Sequence, residues 1–209
     1  MMLPMFPLST VLFPGADLPL HVFEPRYRQL IDDVADSTRT FGTVLISAGR
    51  EVGGGDRRCT IGTKVSIEEL MPLEDGRSIL VARAQERIEV VNWLADDPYP
   101  RAEVIEAPSS GVPTEELVHA AATEVRRVRR LICELDDGPC PPIGVELSGD
   151  LEEDQWMVCA LAPVGLFDAQ RLLEISDAHS RLSELITLCQ AKSEDLSLLL
   201  SQRGAEPDS

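Results

Sequence analysis

Residues 3–46 read LPMFPLSTVLFPGADLPLHVFEPRYRQLIDDVADSTRTFGTVLI and carry the most specific pattern in the chain. Short apolar runs alternate with prolines, which lack a backbone donor and are therefore tolerated at strand edges and bends. Pro25 then suits the first turn of a helix. Apolar residues at 27, 30, 31 and 34 give that helix one buried face. The stretch predicts strands, a helix that begins at Pro25, and a further strand from Phe41 to Ile46.

The next segment predicts more β-structure. Residues 59–68 alternate apolar and polar side chains, which is typical of a half-buried antiparallel strand. The tight-turn dipeptide at 75–76 leads into a hairpin partner at 79–84. Two further strands are predicted at 87–93 and 102–105. About six short strands with one apolar face indicate a small barrel or strongly curved sheet.

The second half of the chain is helical in pattern. Residues 107–113, APSSGVP, mark the change, and the sequence predicts a β-subdomain over 1–108 and a helical bundle over 109–203. A glycine-rich loop is predicted at 49–58 in the first half and a rigid connection at 138–144 in the second. Residues 204–209 are predicted to be disordered. Four helices are predicted, with N-caps at Thr114, Asp150, Asp168 and Asp177.

Charge narrows the classes of partner. The 209 residues carry a net charge of -17, and a uniformly acidic surface repels phosphate. Nucleic acid and anionic membrane surfaces are therefore poor partners. No stretch approaches the ~18 apolar residues of a membrane helix, and no basic leader precedes the apolar N-terminus. These features predict a cytoplasmic protein without a membrane partner.

Five cysteines occur, an odd number, and none forms a CxxC pair. Disulfide frameworks and zinc knuckles use close, paired spacings. We therefore predict reduced thiols, several of them in the core, and no metal site.

The pattern P-x-F-P-L-x-x-V-L-F-P-G, followed by L-P-L-H-V-F-E-P-R-Y and F-G, resembles the N-terminal, substrate-binding domain of Lon proteases. The same domain occurs as stand-alone bacterial proteins, the form this chain resembles, and within cereblon. Further matches are CTIG at 59–62, DGR at 75–77 and YPRAEV at 99–104, and the helices at 161–189 are also similar. Ala84 and Ile88 depart from the glycine and phenylalanine usual in the family.

The resemblance implies an α+β fold: a PUA-like pseudo-barrel of antiparallel strands with one inserted helix, followed by an α-helical bundle. It also implies a function, because in full-length Lon this domain helps to recognise and hold protein substrates. We therefore expect a non-catalytic module that binds unfolded polypeptide or a protein partner, with a separate protease as one candidate partner.

Catalytic machinery is missing from the sequence. There is no GxxxxGK[ST] phosphate loop and no G-x-S-x-G elbow. A Ser–Lys dyad needs a lysine that activates the serine, and the two lysines, Lys64 and Lys192, lie outside any such motif. The three histidines are far apart. We predict no enzyme activity, no catalytic residue and no cofactor; a peptidase-type hydrolase and a PUA-like nucleic-acid binder are the alternatives.

Two clusters are candidate sites. Glu24, Pro25, Arg26 and Tyr27 join a strand to its helix, and we interpret them as a structural hinge that can also form a binding rim.

Arg126, Arg127, Arg129 and Arg130 are the only basic cluster of this acidic chain. We expect them to pair with local acids such as Glu115, Glu116, Asp136 and Asp137. The alternative is that they dock an acidic partner segment.

Overall fold

The computed structural model describes residues 1–48, 57–136 and 144–203. The predicted glycine-rich loop, apart from its last two residues, lies outside these ranges, as do the predicted connection up to residue 143 and the predicted tail. The chain divides into two compact units, Met1–Pro108 and Ser109–Ser209, called here the sheet unit and the helical unit. The predicted assignment of a β-subdomain over 1–108 and a helical bundle over 109–203 stays a prediction.

Over residues 1–48 and 57–108, the sheet unit contains six strands and one helix. Its strands pair in the order β2-β5-β4-β3-β1-β6, and β6 pairs in addition with β5. The pairings of β5, β4, β3, β1 and β6 therefore form a cycle, and β2 lies outside it. The elements are β1 (Met2–Leu8), β2 (Asp17–Val22), α1 (Pro25–Ala35), β3 (Thr40–Ala48), β4 (Arg57–Pro72), β5 (Ser78–Trp93) and β6 (Arg101–Glu106).

Two details of the predicted sheet are wrong. β1 and β3 pair in parallel, so the sheet is mixed rather than wholly antiparallel. The reason is that β2 and α1 separate them in sequence, and such a crossover returns the chain in the same direction. The strands predicted at 79–84 and 87–93 are one strand, β5, of 16 residues. The α+β class is confirmed.

Helix α1 begins at Pro25 as predicted and covers one face of the sheet unit's core. Tyr27, Leu30, Ile31 and Val34 are its buried residues. They pack in one cluster with apolar side chains of the strands, such as Phe41. The helix was predictable from the sequence because apolar residues spaced three and four apart share one helical face.

A β-bulge sets the start of β2. Gly15 has φ +80°, in the left-handed region that favours glycine. Its N–H donates to the carbonyl of Ala84 at 3.0 Å, and the Ala84 N–H donates to the carbonyl of Ala16 at 2.9 Å. Two residues thus oppose one, with glycine first, which is the G1 type of bulge. The bulge fixes which residues of β2 turn their backbone groups toward β5.

The helical unit contains α2 (Glu115–Leu135), α3 (Leu151–Leu161), α4 (Leu166–Glu174) and α5 (Ala178–Arg203). The predicted N-caps at Thr114 and Asp150 are confirmed, since each side chain accepts from a backbone N–H of the first turn. Asp177 also accepts, at 2.8 Å, from the Ser180 N–H. The cap predicted at Asp168 is wrong, because Gly165 is the N-cap of α4 and Asp168 lies in its first turn.

Arg181 on α5 is completely buried. Its guanidinium donates to the Ile175 carbonyl at 2.7 Å and to the Gln155 side-chain oxygen at 2.7 Å. It also lies 3.7 Å from the centroid of the Trp156 ring. The carbonyl of Ile175 follows the last turn of α4, where unpaired carbonyls and the helix dipole attract a cation. Arg181 therefore ties α3, α4 and α5 together.

The cysteines are only partly as predicted. Cys59, Cys159 and Cys189 form no disulfide, and the last two are buried. Burial raises the pKa of the Cys159 thiol to about 12 and that of Cys189 to about 11. Cys133 is disulfide-bonded, so the prediction of reduced thiols is wrong for this residue. Within the described ranges, no helix is long and apolar enough to cross a membrane.

Candidate functional site

The predicted junction of residues 24–27 is a closely connected cluster. Glu24 is the N-cap of α1 and receives the Tyr27 and Arg28 N–H groups on its carbonyl, at 3.0 and 2.9 Å. Its carboxylate accepts from the Arg26 Nε at 3.2 Å. The Arg26 guanidinium lies 4.5 Å from the centroid of the Tyr27 ring, and that ring stacks on Phe6 at 4.0 Å.

These contacts favour a structural role for the junction. The Glu24 carboxylate is engaged by its neighbour, and Tyr27 is buried at 3% exposure, so neither group is presented to a partner. Arg26 covers one side of a buried aromatic ring, an arrangement that cation–π attraction stabilises. A role of the junction as a binding rim stays a prediction.

The predicted arginine run is spread around α2. Arg126 donates to the carbonyl of Val145, and Arg127 lies 3.9 Å from the carboxylate of Glu124. Arg127 thus lies beside a local acid, whereas Arg126 binds a backbone carbonyl. Arg130 is exposed. Docking of an acidic partner segment on this run stays a prediction.

Arg129 lines a cleft of about 320 Å³ in the helical unit. The other lining residues come from the last turns of α2 and α3 and from the residues that follow α3. They are Ile132, Cys133, Ala160, Leu161 and Pro163.

Three large apolar side chains are exposed at one end of the sheet unit. Phe23 is 55%, Met71 60% and Ile79 43% exposed. Met71 of β4 and His21 of β2 both lie opposite Ile79 of β5 in the strand register. The Phe23 ring lies 6.1 Å from the His21 ring. Met71 and Ile79 are therefore neighbours across two adjacent strands, and Phe23, which directly follows β2, borders them beside the His21 ring. Phe23, Met71 and Ile79 are called here the apolar patch.

A second group of exposed apolar residues is differently placed. Met2, Val91 and Ile105 are 70%, 61% and 51% exposed, but the partners of Met2 and Ile105 across the strands are Glu103 and Glu89. Acidic neighbours interrupt this group, whereas Met71 lies directly opposite another apolar residue. The apolar patch is therefore the more continuous of the two surfaces.

The charges around the apolar patch are mixed. Three carboxylates there have arginine partners: Asp17 with Arg83 at 2.8 Å, Asp75 with Arg77 at 2.7 Å, and Glu24 with Arg26 at 3.2 Å. Three others, on β4 and the turn after it, have no cationic partner among the described residues. They are Glu68, Glu69 and Glu74. Two arginines also lie there: the Arg28 guanidinium lies against Gly76, and Arg39 donates to the Ile67 carbonyl at 3.1 Å. The rim of the patch therefore carries both signs of charge.

No Ser–Lys pair occurs in the described part of the chain. Lys64 Nζ lies 2.8 Å from the Glu86 carboxylate, and Lys192 Nζ donates to the Pro163 carbonyl at 2.5 Å. The described ranges also contain no cluster of three or more residues suited to hold a metal ion.

Sequence reasoning missed the apolar patch. Phe23 precedes the most specific motif of the chain, and Met71 and Ile79 flank the predicted turn, so all three were visible as apolar residues. Their exposure was not visible, because alternation separates the two faces of a strand without telling which face is covered. The exposed side chain at Ile79 between buried Ser78 and Leu80 shows the difficulty.

Comparison with known proteins agrees with this fold. The family model described as the ATP-dependent protease La (LON) substrate-binding domain matches residues 2–191. The chain belongs to this family. A solved Lon N-terminal domain protein from Xanthomonas campestris is 27% identical, with a TM-score of 0.66, and the match covers 90% of this chain and 98% of that one.

Curated relatives are longer proteins. A Lon protease of Syntrophus aciditrophicus is 28% identical over 206 residues, which cover 94% of this chain and 26% of the relative. Lon protease 2 of Herpetosiphon aurantiacus is 27% identical over 189 residues, which cover 88% and 23%. The chain thus spans about a quarter of the length of these relatives.

Proposed function

We propose that this protein is a non-catalytic recognition module that binds unfolded segments of polypeptide on the apolar patch. The observation that carries the proposal is the direct pairing of exposed Met71 with exposed Ile79, bordered by Phe23. Contiguous exposed apolar surface is unfavourable in water and commonly marks a binding site. The substrate-binding description of the family supports the same function.

Unfolded polypeptide is the partner that this surface suits best. Its apolar side chains are accessible, whereas a folded protein buries most of them. Carboxylates at the rim of the patch can pair with lysine or arginine that flanks the apolar residues. The net charge of -17 disfavours nucleic acid, whose phosphates a strongly acidic protein repels.

The proposal excludes peptide hydrolysis by this chain itself. Each lysine is engaged, Lys64 by a carboxylate and Lys192 by a carbonyl, so neither is available to activate a serine. Bound polypeptide would therefore be handed to a separate protease, or held. We further propose that the cycle of β5, β4, β3, β1 and β6 is a pseudo-barrel of the PUA-like type.

Binding to an unfolded protein tests the function. The probe is lysozyme that has been reduced and carbamidomethylated, and native lysozyme is the control for simple attraction between a basic and an acidic protein. We expect the unfolded form to bind at least tenfold more tightly than the native form. Equal affinity for both forms, or no binding of either, would contradict the proposal.

A pair of matched variants tests the location. Phe23→Ser with Met71→Thr and Ile79→Thr removes the apolar patch, and Met2→Ser with Val91→Thr and Ile105→Thr removes the other exposed apolar group. We expect the first variant to lose at least tenfold in affinity for unfolded lysozyme, because three apolar contacts are lost, and the second to stay within about twofold. If the second variant lost affinity and the first did not, the binding site would be assigned to the surface around Met2 and Ile105 instead.

A further inference from the structure

Strand β2 leaves one of its edges open. Within the described residues, every other strand of the sheet unit has at least two hydrogen-bonded neighbours, whereas β2 pairs with β5 alone. An open edge presents a row of backbone donors and acceptors, which an extended chain can pair with.

The phase of the ladder shows which groups point outward. The Ala84 N–H donates to the Ala16 carbonyl, so position 16 faces β5. Because antiparallel residues alternate between bonded and non-bonded pairs, the even positions 18, 20 and 22 also face β5. Asp17, Pro19 and His21 therefore turn their backbone groups to the open edge, and their side chains are exposed.

We propose that the open edge of β2 accepts an extended segment of unfolded polypeptide as an added strand. The inference rests on the function proposed above and specifies its mode: recognition through the main chain, with the apolar patch beside it. Backbone pairing gives affinity for any sequence that can extend, and alternate side chains give selectivity. Asp17 and His21 would donate to the added strand, and all three outward carbonyls would accept from it.

The neighbouring side chains define the segment that would bind. An added strand places every second side chain on the face that carries His21 and, beyond it, Ile79 and Met71. The rim carries both signs of charge, with Glu68, Glu69 and Glu74 beside Arg28 and Arg39. The segment is therefore extended and apolar at alternate positions, and a lysine at its ends can pair with a rim carboxylate.

A second copy of this chain is the less suitable occupant. A twofold antiparallel pairing of β2 with itself that is centred on Pro19 would place proline opposite proline, and neither has an N–H to donate. Two copies would also bring together chains that each carry a net charge of -17. A client segment loses at most the one bond that Pro19 cannot donate.

Backbone-methylated peptides test the proposal on the unaltered protein. The probe is a synthetic nonapeptide of alternating leucine and threonine with a lysine at each end. Two versions carry N-methyl groups at alternate residues, one version at the odd and the other at the even positions. We expect one version to bind at least tenfold more weakly than the parent and the other to stay within about threefold, because only one set of N–H groups faces β2. Equal affinities of the two versions would overturn the proposal.

A substitution in β2 tests the same backbone hydrogen bonds by changing the protein instead of the peptide. His21→Pro removes one outward donor and leaves the ladder with β5 intact, and His21→Ala is the control that keeps the donor. We expect His21→Pro to bind the nonapeptide about three- to tenfold more weakly than His21→Ala, with unchanged thermal unfolding. Slower hydrogen exchange of the His21 amide in the complex is expected as well. Unchanged exchange in the complex would count against an added strand, even if His21→Pro failed to fold.

The outcomes separate this inference from the function on which it rests. If unfolded lysozyme binds and loss of the apolar patch weakens it, but the two methylated peptides bind equally, the function stands and the added strand is wrong. If nothing unfolded binds, both are wrong. A dimer in light scattering that His21→Pro abolishes would assign the edge to a second copy and overturn the inference.

Discussion

The apolar patch of the sheet unit and Arg181 of the helical unit invert the usual distribution of side chains in opposite ways. Met71 and Ile79 are apolar and exposed, whereas Arg181 is charged and completely buried. Burying a charge is costly unless it is fully hydrogen-bonded, so Arg181 must contribute to structure through its acceptors. Exposed apolar groups contribute little to folding, and contiguous ones commonly mark a binding site. The comparison between these two regions assigns stability to Arg181 and recognition to the apolar patch.

The largest effect is expected for Arg181→Met. The substitution leaves the Ile175 carbonyl and the Gln155 side-chain oxygen without their donor in a dry interior. We expect the free energy of unfolding to fall by about 3 kcal/mol, measured by urea denaturation. The control is Arg171→Met, which removes a partly exposed ion pair with Glu184 and should cost less than about 1 kcal/mol. Equal costs would break the comparison.

A smaller loss is expected for Thr63→Val in the sheet unit. Its buried hydroxyl donates to the Leu12 carbonyl at 2.6 Å, and valine has the same shape without the donor. We expect a loss of about 1.5 kcal/mol in urea denaturation. Thr60→Val on the exposed face of the same strand is the control and should change stability by less than about 0.5 kcal/mol. A loss as large as that of Arg181→Met would show that the sheet unit, too, depends on one buried polar group.

Tyr99→Phe should cost about 1 kcal/mol at neutral pH, because the Tyr99 hydroxyl donates to the Asp33 carboxylate at 2.7 Å. Burial, with this hydrogen bond, raises the pKa of Tyr99 from 10.0 to about 12. The folded state therefore favours the neutral phenol, and its contribution is complete below pH 10 and is lost as the pH rises toward 12. Unfolding at pH 8 and pH 11 should show the wild type losing its advantage over Tyr99→Phe at the higher pH. A constant difference would contradict the assignment.

The smallest effect on stability is expected for Met71→Thr with Ile79→Thr. Both positions are exposed, and threonine keeps the preference for extended backbone. We expect each change to alter the free energy of unfolding by less than about 0.5 kcal/mol, while binding of unfolded lysozyme weakens. A loss above about 1 kcal/mol per residue would show that the apolar patch is structural, and the comparison between the two units would fail.

Much of the local structure could be predicted because it depends on neighbours in sequence. Pro25 and the spacing of Tyr27, Leu30, Ile31 and Val34 were sufficient for α1. Thr114 and Asp150 were recognisable caps, since a side-chain oxygen reaches only the next few N–H groups. The cap at Asp168 failed because Gly165, without a side-chain acceptor, can begin a helix equally well.

The rest depended on contacts between distant residues. The parallel pairing of β1 with β3 and the bulge at Gly15 opposite Ala84 join positions far apart in sequence. Arg181 looks like any helical arginine in the sequence, whereas the arginine run at 126–130 attracted attention through its local density. Local density indicates charge, but burial decides what that charge does.

Local spacing and motifs were sufficient to predict the family, the helices with three of their four caps, the strand-rich first half and the absence of familiar catalytic motifs. Contacts between distant residues determine which apolar residues stay exposed, which arginine is buried and, within the described ranges, which strand keeps an open edge. The physical reason is that burial and strand pairing are properties of surfaces that meet in space. The residues on those surfaces are distant in the chain. Met71 and His21, for example, lie on the two strands that flank Ile79.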